Sequence, residues 1–154
     1  IELKGENIFK GYWGMEEKTK ESFKDDGFFI TGDLAKKDEN GYFTIVGRDK
    51  DMIISGGLNV YPKEIEDVIN ELPNITESAV FGVQHDDFGE AVVAAVVTTD
   101  DKNDGSQILD YTKDKIAKYK QPKKIIFMSN LPRNSMGKVQ KNKLRENNKS
   151  LFKS

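Results

Sequence analysis

Cysteine is absent from the 154 residues and histidine occurs once, at His85. The first absence removes disulfide scaffolds, thiolate nucleophiles and Cys-ligated zinc; the second removes a His-based cage, so no metal site is expected. Any chemistry must run on Lys, Arg, carboxylates and backbone groups. No apolar run approaches the roughly 20 residues that a membrane-spanning helix needs; the longest is Ala91 to Val97. A soluble, cytoplasmic chain is the expectation, with no membrane span. The chain starts at Ile1 rather than Met, without a charged-then-apolar leader, which points to a removed leader or to the tail of something longer. With 36% hydrophobic residues it can build one modest core, or a small domain with an appendage.

Charge of one sign is scarce in each half. Residues 1 to 112 carry 11 Lys/Arg against 24 Asp/Glu, net −13, whereas residues 113 to 154 carry 13 against 2, net +11. A basic tail on an acidic body implies either an anionic partner or an intramolecular electrostatic contact. Aromatic residues are not interleaved with the tail's cations as a base-stacking platform requires, which argues against nucleic acid.

Residues 1 to 46 are punctuated by glycine too often for a long helix, although Glu16 to Lys24 can form a short one. "ENGY" (Glu39 to Tyr42) reads as a turn before a strand from Tyr42 to Val46, and no closed core is evident. The texture changes near Arg48. A hairpin is expected from Met52 to Ile54 and Asn59 to Tyr61 around Gly56-Gly57. Pro62 then opens a helix with Ile65, Val68, Ile69 and Leu72 on one face. Strands follow at Ser78 to Val83 and Ala91 to Thr98, the second apolar enough to be buried on both faces. After an acidic loop from Asp100 to Gly105, Ser106 can cap a helix to about Tyr119, with Ile108, Leu109 and Ile116 inward and Pro122 beyond its end. Ile125 to Met128 is the last strand, and a basic loop ends in a short helix near Lys143 to Asn147. The fold class is α+β: a small domain with an antiparallel hairpin and a mixed sheet packed by helices.

Four segments carry the chemistry: "TGDL" (Thr31 to Leu34), "GRDKDMIISGGLNVYPKEIE" (Gly47 to Glu66), "HDDFGEAVVA" (His85 to Ala94) and "LPRNSMGKVQKNKLR" (Leu131 to Arg145). Their order and spacing resemble the C-terminal part of the adenylate-forming acyl-CoA synthetases, relatives of luciferase and of nonribosomal adenylation domains. The likeness runs from "GYW" (Gly11 to Trp13) to Arg145, and the wording of "DGFFITGDL", "NVYPKEIE" and "LPRNSMGKVQKNKLR" looks closest to malonyl-CoA synthetases.

A ribose offers two vicinal hydroxyls that a carboxylate can accept from and a guanidinium can donate to. On residues alone, Asp33 could equally stabilise a turn and Arg48 a surface ion pair; the resemblance implies that the two hold the ATP or AMP ribose. It likewise implies that Lys138, on a flexible loop with Gly137, Ser135 and Asn134, is the catalytic residue stabilising the adenylation transition state. Ser55, Gly56 and Gly57 become the passage for the CoA pantetheine, where glycine lets backbone approach closely; an ordinary hairpin turn is compatible with the same residues. Lys50, the second residue after Arg48, becomes the hinge within 49–51. Residues 1–48 would then end a larger N-terminal domain, and residues 52–154 would form a mobile C-terminal lid. His85 is assigned no catalytic role. "YKQPKK" (Tyr119 to Lys124) with Arg133 offers a surface for CoA phosphates.

The function so implied is an ATP-dependent carboxylate-CoA ligase. Its substrate is malonate or a medium- to long-chain fatty acid, its co-substrates are ATP and CoA, and its Mg2+ site is expected mainly in the absent N-terminal domain. Transfer to a carrier-protein thiol and a stand-alone anion-binding module are the competing readings. The phosphate loop and acyl pocket of the family have no match here, so these 154 residues alone are expected to be inactive.

Overall fold

The computed structural model describes residues 1–100 and 104–153, which form two compact units, Ile1–Lys50 and Asp51–Ser154. In the first unit, β1 (Glu2–Leu3) pairs antiparallel with β2 (Phe29–Ile30), and β3 (Asp33–Lys37) with β4 (Phe43–Arg48). The Asp38 carboxylate turns the β3–β4 hairpin by accepting the Tyr42 N–H at 2.8 Å. Helix α1 covers Glu16–Ser22, with Glu16 and Glu17 in its first turn and Lys20 in its last, as the helix dipole favours. It stops short of Lys24 because Phe23 turns extended and bridges Phe29, against which its ring packs at 5.3 Å. None of the described residues of this unit is buried, in keeping with the missing core read from the sequence.

The second unit has a core on both sides of one sheet. β5 (Ile53–Ser55) and β6 (Leu58–Val60) form the expected hairpin, one residue displaced from the limits read from the sequence because Gly56 and Gly57 alone fill the turn. Both glycines have positive φ, +59° and +78°. That is the mirror-image two-residue turn whose twist matches the flanking strands. Helix α2 (Pro62–Ile69) carries Pro62 at its first position and buries Ile65 and Ile69 completely. β7 (Ile75–His85) and β8 (Gly89–Thr98) pair along their length, β9 (Lys124–Phe127) lies parallel to β8, and the order is β6-β5-β8-β7 with β9 also on β8.

Ala91 to Val96 are all buried, so β8 is covered on both faces as its composition predicted. Val92, Ala94 and Val96 pack with Ile65, Ile69 and Ile108 on the side of α2 and α3; Val93 and Ala95 pack with Phe81, Leu131 and Leu144 on the other. Removing the ring of Phe81 from such a site costs roughly 3–5 kcal/mol.

Helix α3 (Ser106–Lys113) is shorter than the sequence suggested. The Thr112 hydroxyl turns back on the Leu109 carbonyl at 2.9 Å, and by Ala117 the backbone is extended, before Pro122 is reached. Ser106 is the first helical residue rather than the cap: its N–H and hydroxyl both donate to Asp104. The acidic loop read over Asp100 to Gly105 lies partly outside the described residues. Helix α4 (Lys141–Asn147) begins two residues earlier than expected and buries Leu144 against β7. Among the described residues no helix is long and apolar enough to cross a membrane.

Candidate functional site

In the first unit Asp33 and Arg48 face each other directly across the β3–β4 ladder. Arg48 Nε donates to Asp33 Oδ1 at 2.7 Å, and an Arg48 terminal nitrogen donates to the Thr31 carbonyl at 3.1 Å. The Thr31 hydroxyl in turn accepts the Asp33 N–H at 3.0 Å, and Asp49 N–H donates to Gly32 at 2.9 Å. The "TGD" segment is therefore tied to "GRD" by both side chain and backbone. Half of the Arg48 side chain remains accessible (49%), and nothing among the described residues donates to Asp33 Oδ2. A carboxylate oxygen beside a guanidinium is the donor and acceptor set that a vicinal diol needs. Lys50 follows in a 3-10 turn, Asp49–Asp51, whose last residue belongs to the second unit and accepts from Arg145 at 2.9 Å.

In the second unit Ser55 is buried and stands opposite Gly89, while the Gly56 N–H donates to the Phe88 carbonyl at 2.8 Å. A Cβ at Gly56 or Gly57 would meet nothing within 4 Å. Positive φ is one reason for glycine there, and the open space beyond both is free for a ligand to approach the backbone.

Lys138 sits on a second tight hairpin, closed by a bridge between Arg133 and Val139. Asn134 N–H donates to the Lys138 carbonyl at 2.9 Å and Gly137 N–H to the Asn134 carbonyl at 2.9 Å, with Gly137 at φ +76°. This is a three-residue loop, Ser135-Met136-Gly137, in which glycine takes the left-handed position. The Asn134 carboxamide accepts the N–H groups of Met136 and Lys138 at 3.0 and 2.9 Å. Arg133 donates to the Gly137 carbonyl at 2.6 Å and pairs with Glu77 on β7. Within this loop, Asn134 and Arg133 satisfy the backbone groups of Met136, Gly137 and Lys138. The exposed ammonium of Lys138 has no partner among the described residues.

The two hairpins occupy opposite ends of the same sheet. Arg133 anchors one at Glu77, while the Gly56-Gly57 turn is attached beside Gly89, which pairs with His85. Glu77 and His85 are eight steps apart along β7, about 26 Å at ~3.3 Å per residue. His85 itself accepts the Asp87 N–H at 3.2 Å and stacks near Phe88 and Phe152, a loop-forming role.

The basic tail meets the acidic body within the second unit. Lys115 pairs with Glu71, Lys120 with Glu64, Arg133 with Glu77, Lys141 with Glu66 and Arg145 with Asp51. Burial draws the Lys120 ammonium down, but the hydrogen bonds and charge of Glu64 outweigh it and hold its pKa above the ordinary value. Of the surface read as attractive to CoA phosphates, Lys120 and Arg133 are committed to these carboxylates, and Lys123 lies over the Phe88 ring at 5.2 Å. None of these partners was apparent from the chain, since they lie tens of residues apart. Among the described residues no group of three or more His, Asp or Glu side chains could hold a metal ion.

Residues 64–138 match the AMP-binding enzyme C-terminal domain family. The chain is 44% identical over 146 residues to the long-chain-fatty-acid–CoA ligase FadD13 of Mycobacterium tuberculosis, covering 95% of this chain and 29% of that protein. ATP-bound MatB from Rhodopseudomonas palustris is similar in structure, with a TM-score of 0.86 at 58% identity, over 99% of this chain and 30% of that one. The o-succinylbenzoate CoA synthetase MenE of Bacillus subtilis, solved with an acyl-adenylate intermediate, is similar at 36% identity with a TM-score of 0.86, over 94% of this chain and 29% of that one. The chain spans about 29% of the length of the curated relative it matches.

Proposed function

We propose, from the premise that residues 64–138 belong to the AMP-binding enzyme C-terminal domain family, that this chain is the C-terminal portion of an ATP-dependent carboxylate-CoA ligase. In the first step a substrate carboxylate oxygen attacks the α-phosphorus of ATP and the bond to pyrophosphate breaks. In the second the CoA sulfur attacks the acyl carbonyl, AMP leaves on its phosphate oxygen, and the thiol proton passes to solvent. Asp33 and Arg48 hold the ribose hydroxyls. Lys138 faces the negative charge gathering between carboxylate and phosphate; a unit charge about 4 Å away at an effective dielectric near 20 is attracted by roughly 4 kcal/mol. Ser55, Gly56 and Gly57 admit the pantetheine thiol.

The observation that supports this reading most is the placement of the Lys138 and Gly56-Gly57 hairpins at opposite ends of one sheet. A rigid unit cannot present both ends to one reacting carbon, so residues 52–154 act as a lid that turns between steps, about Lys50 in the 49–51 hinge. Residues 1–48 close the larger N-terminal domain, which supplies the phosphate loop and acyl pocket. Magnesium would neutralise triphosphate charge in the first step, and we assign its site mainly to that N-terminal domain.

Malonate is the acid we propose, on the wording of "DGFFITGDL", "NVYPKEIE" and "LPRNSMGKVQKNKLR". A long-chain fatty acid is the second reading, favoured by the likeness to FadD13. The commitment of tail cations to intramolecular carboxylates counts against a stand-alone anion-binding module. The test uses the intact parent protein: Lys138→Ala is expected to lower acid-dependent pyrophosphate release by roughly 100-fold or more, and conversion of supplied acyl-AMP plus CoA to thioester should persist. Undiminished pyrophosphate release would refute the role. A panel of acids compared by kcat/KM decides between malonate and a fatty acid.

A further inference from the structure

The Gly56-Gly57 hairpin is joined to its sheet by a short stretch of backbone pairing and, beyond that stretch, by a side chain. β5 meets β8 only at Ser55 opposite Gly89. One residue earlier, the Ile54 N–H finds no backbone carbonyl of β8; it donates instead to Glu90 Oε2 at 2.7 Å. The Glu90 carboxylate thus stands in for a missing rung between the strand that leads into the turn and the central strand of the sheet. On the other side of Ser55, where the turn begins, Gly56 N–H reaches the Phe88 carbonyl at 2.8 Å.

Gly82 lies beside this carboxylate. It is buried in the middle of β7 and has no positive φ, so its backbone does not require glycine. Glycine in a strand interior weakens the strand, by roughly 0.5–1 kcal/mol relative to Ala. A Cβ at that position would lie 2.6 Å from Glu90 Oε1 and 3.0 Å from Ile53 Cγ2. The missing side chain makes room for Glu90 to reach Ile54.

We infer that Glu90 is a positioning residue for the thioester step: by clamping Ile54 it sets the Ser55–Gly57 turn at the height the CoA pantetheine meets. This rests on the reading of that turn as the CoA passage. Glu90 acts through the hairpin backbone and does not itself touch the reacting atoms. The Lys138 hairpin lies at the far end of β7, so the adenylation step is insulated from the loss.

The experiment separates the half-reactions in the intact parent protein. Adenylation is read as pyrophosphate release with hydroxylamine replacing CoA, and thioester formation as a single turnover from preformed acyl-AMP on adding CoA. Glu90→Ala is expected to slow thioester formation at least tenfold with adenylation within twofold of wild type. Glu90→Gln is expected to recover most of the rate, because its amide oxygen still accepts from Ile54. Gly82→Ala, which keeps the carboxylate but displaces it, should resemble Glu90→Ala. Equal loss of both half-reactions, no loss in either, or a Gln variant as impaired as Ala each overturns the inference. Hydrogen exchange at the Ile54 amide is an independent readout: it should quicken at least tenfold in Glu90→Ala and Gly82→Ala but not in Glu90→Gln, and unchanged exchange in all three removes the clamp. Wild-type protein that forms acyl-AMP but never thioester would instead refute the CoA reading, a different result from an unchanged Ile54 amide.

Discussion

Lys141 and Glu66, on helices packed against opposite faces of the sheet, meet 2.6 Å apart over its β7 edge. The same Glu66 oxygen accepts the Val80 N–H at 2.7 Å, a donor on the outer edge of the ladder. One carboxylate thereby satisfies an edge strand and joins α2 to α4. Both side chains are only 17% exposed, so the pair is screened less than a surface one.

Glu66→Gln is therefore expected to be milder than Glu66→Ala, since an amide oxygen still accepts from Val80 but no longer pairs with Lys141. A loss of about 1–3 kcal/mol is expected for Glu66→Ala, the range for leaving a buried donor such as the Val80 N–H unsatisfied. Urea denaturation of both variants checks it. Equal stabilities would show that the edge N–H does not need Glu66.

Gly57→Val should destabilise the chain by more than 1 kcal/mol, because a β-branched residue is strained at φ +78°. Gly56→Asn is expected to be nearly neutral, since Asn tolerates the left-handed region and a Cβ there meets open space. Thermal melts of the two variants distinguish backbone conformation from packing as the reason for glycine.

Arg48→Ala in the intact protein is expected to raise the KM for ATP at least tenfold, and Arg48→Lys to recover little of it. Lysine cannot reproduce the fork that reaches Asp33 at 2.7 Å and the Thr31 carbonyl at 3.1 Å together. Steady-state kinetics with ATP varied at saturating acid and CoA provide the measurement. An unchanged KM in both variants would reduce the pair to a hairpin strut.

The Glu71 carboxyl is held below its ordinary value by hydrogen bonds from Lys115 and then Tyr111, and Lys115 is held above its own by the hydrogen bond to Glu71. A lowered carboxylate stabilises the fold above its unfolded pKa and loses that contribution as pH falls through the folded one. A raised ammonium stabilises below its unfolded pKa and loses the contribution as pH rises through the folded one. The pair's contribution is thus complete at neutral pH, and small because both groups are exposed. Urea midpoints of wild type and Glu71→Gln should differ at pH 7 and converge as pH falls below the carboxylate range. A difference that persists in strong acid would assign the effect to Gln packing instead.

Local chemistry made the Pro62 helix, the Gly56-Gly57 turn and the doubly buried β8 readable from the chain, because each depends on residues a few positions apart. Gly137 and Asn134 were likewise identifiable as turn formers, whereas the pairing of Asp33 with Arg48 was implied only by the family resemblance. The end of α3 was not readable: its residues remain acceptable helix formers past Lys113, yet the helix ends there and the chain is extended by Ala117. The anchoring of the Lys138 hairpin through Arg133 was unreadable for a similar reason, since Glu77 lies 56 residues from Arg133.

Segment type was thus determined by the sequence itself, through periodicity and turn residues that act over a few bonds, while the candidate chemistry was implied by the resemblance of four motifs to a known family. Which carboxylate takes which cation, that the Glu90 carboxylate lies against Gly82, and that the two hairpins stand at opposite ends of β7 were decided only by tertiary structure. Strand pairing brings distant residues within hydrogen-bonding reach, and no local rule encodes the partner.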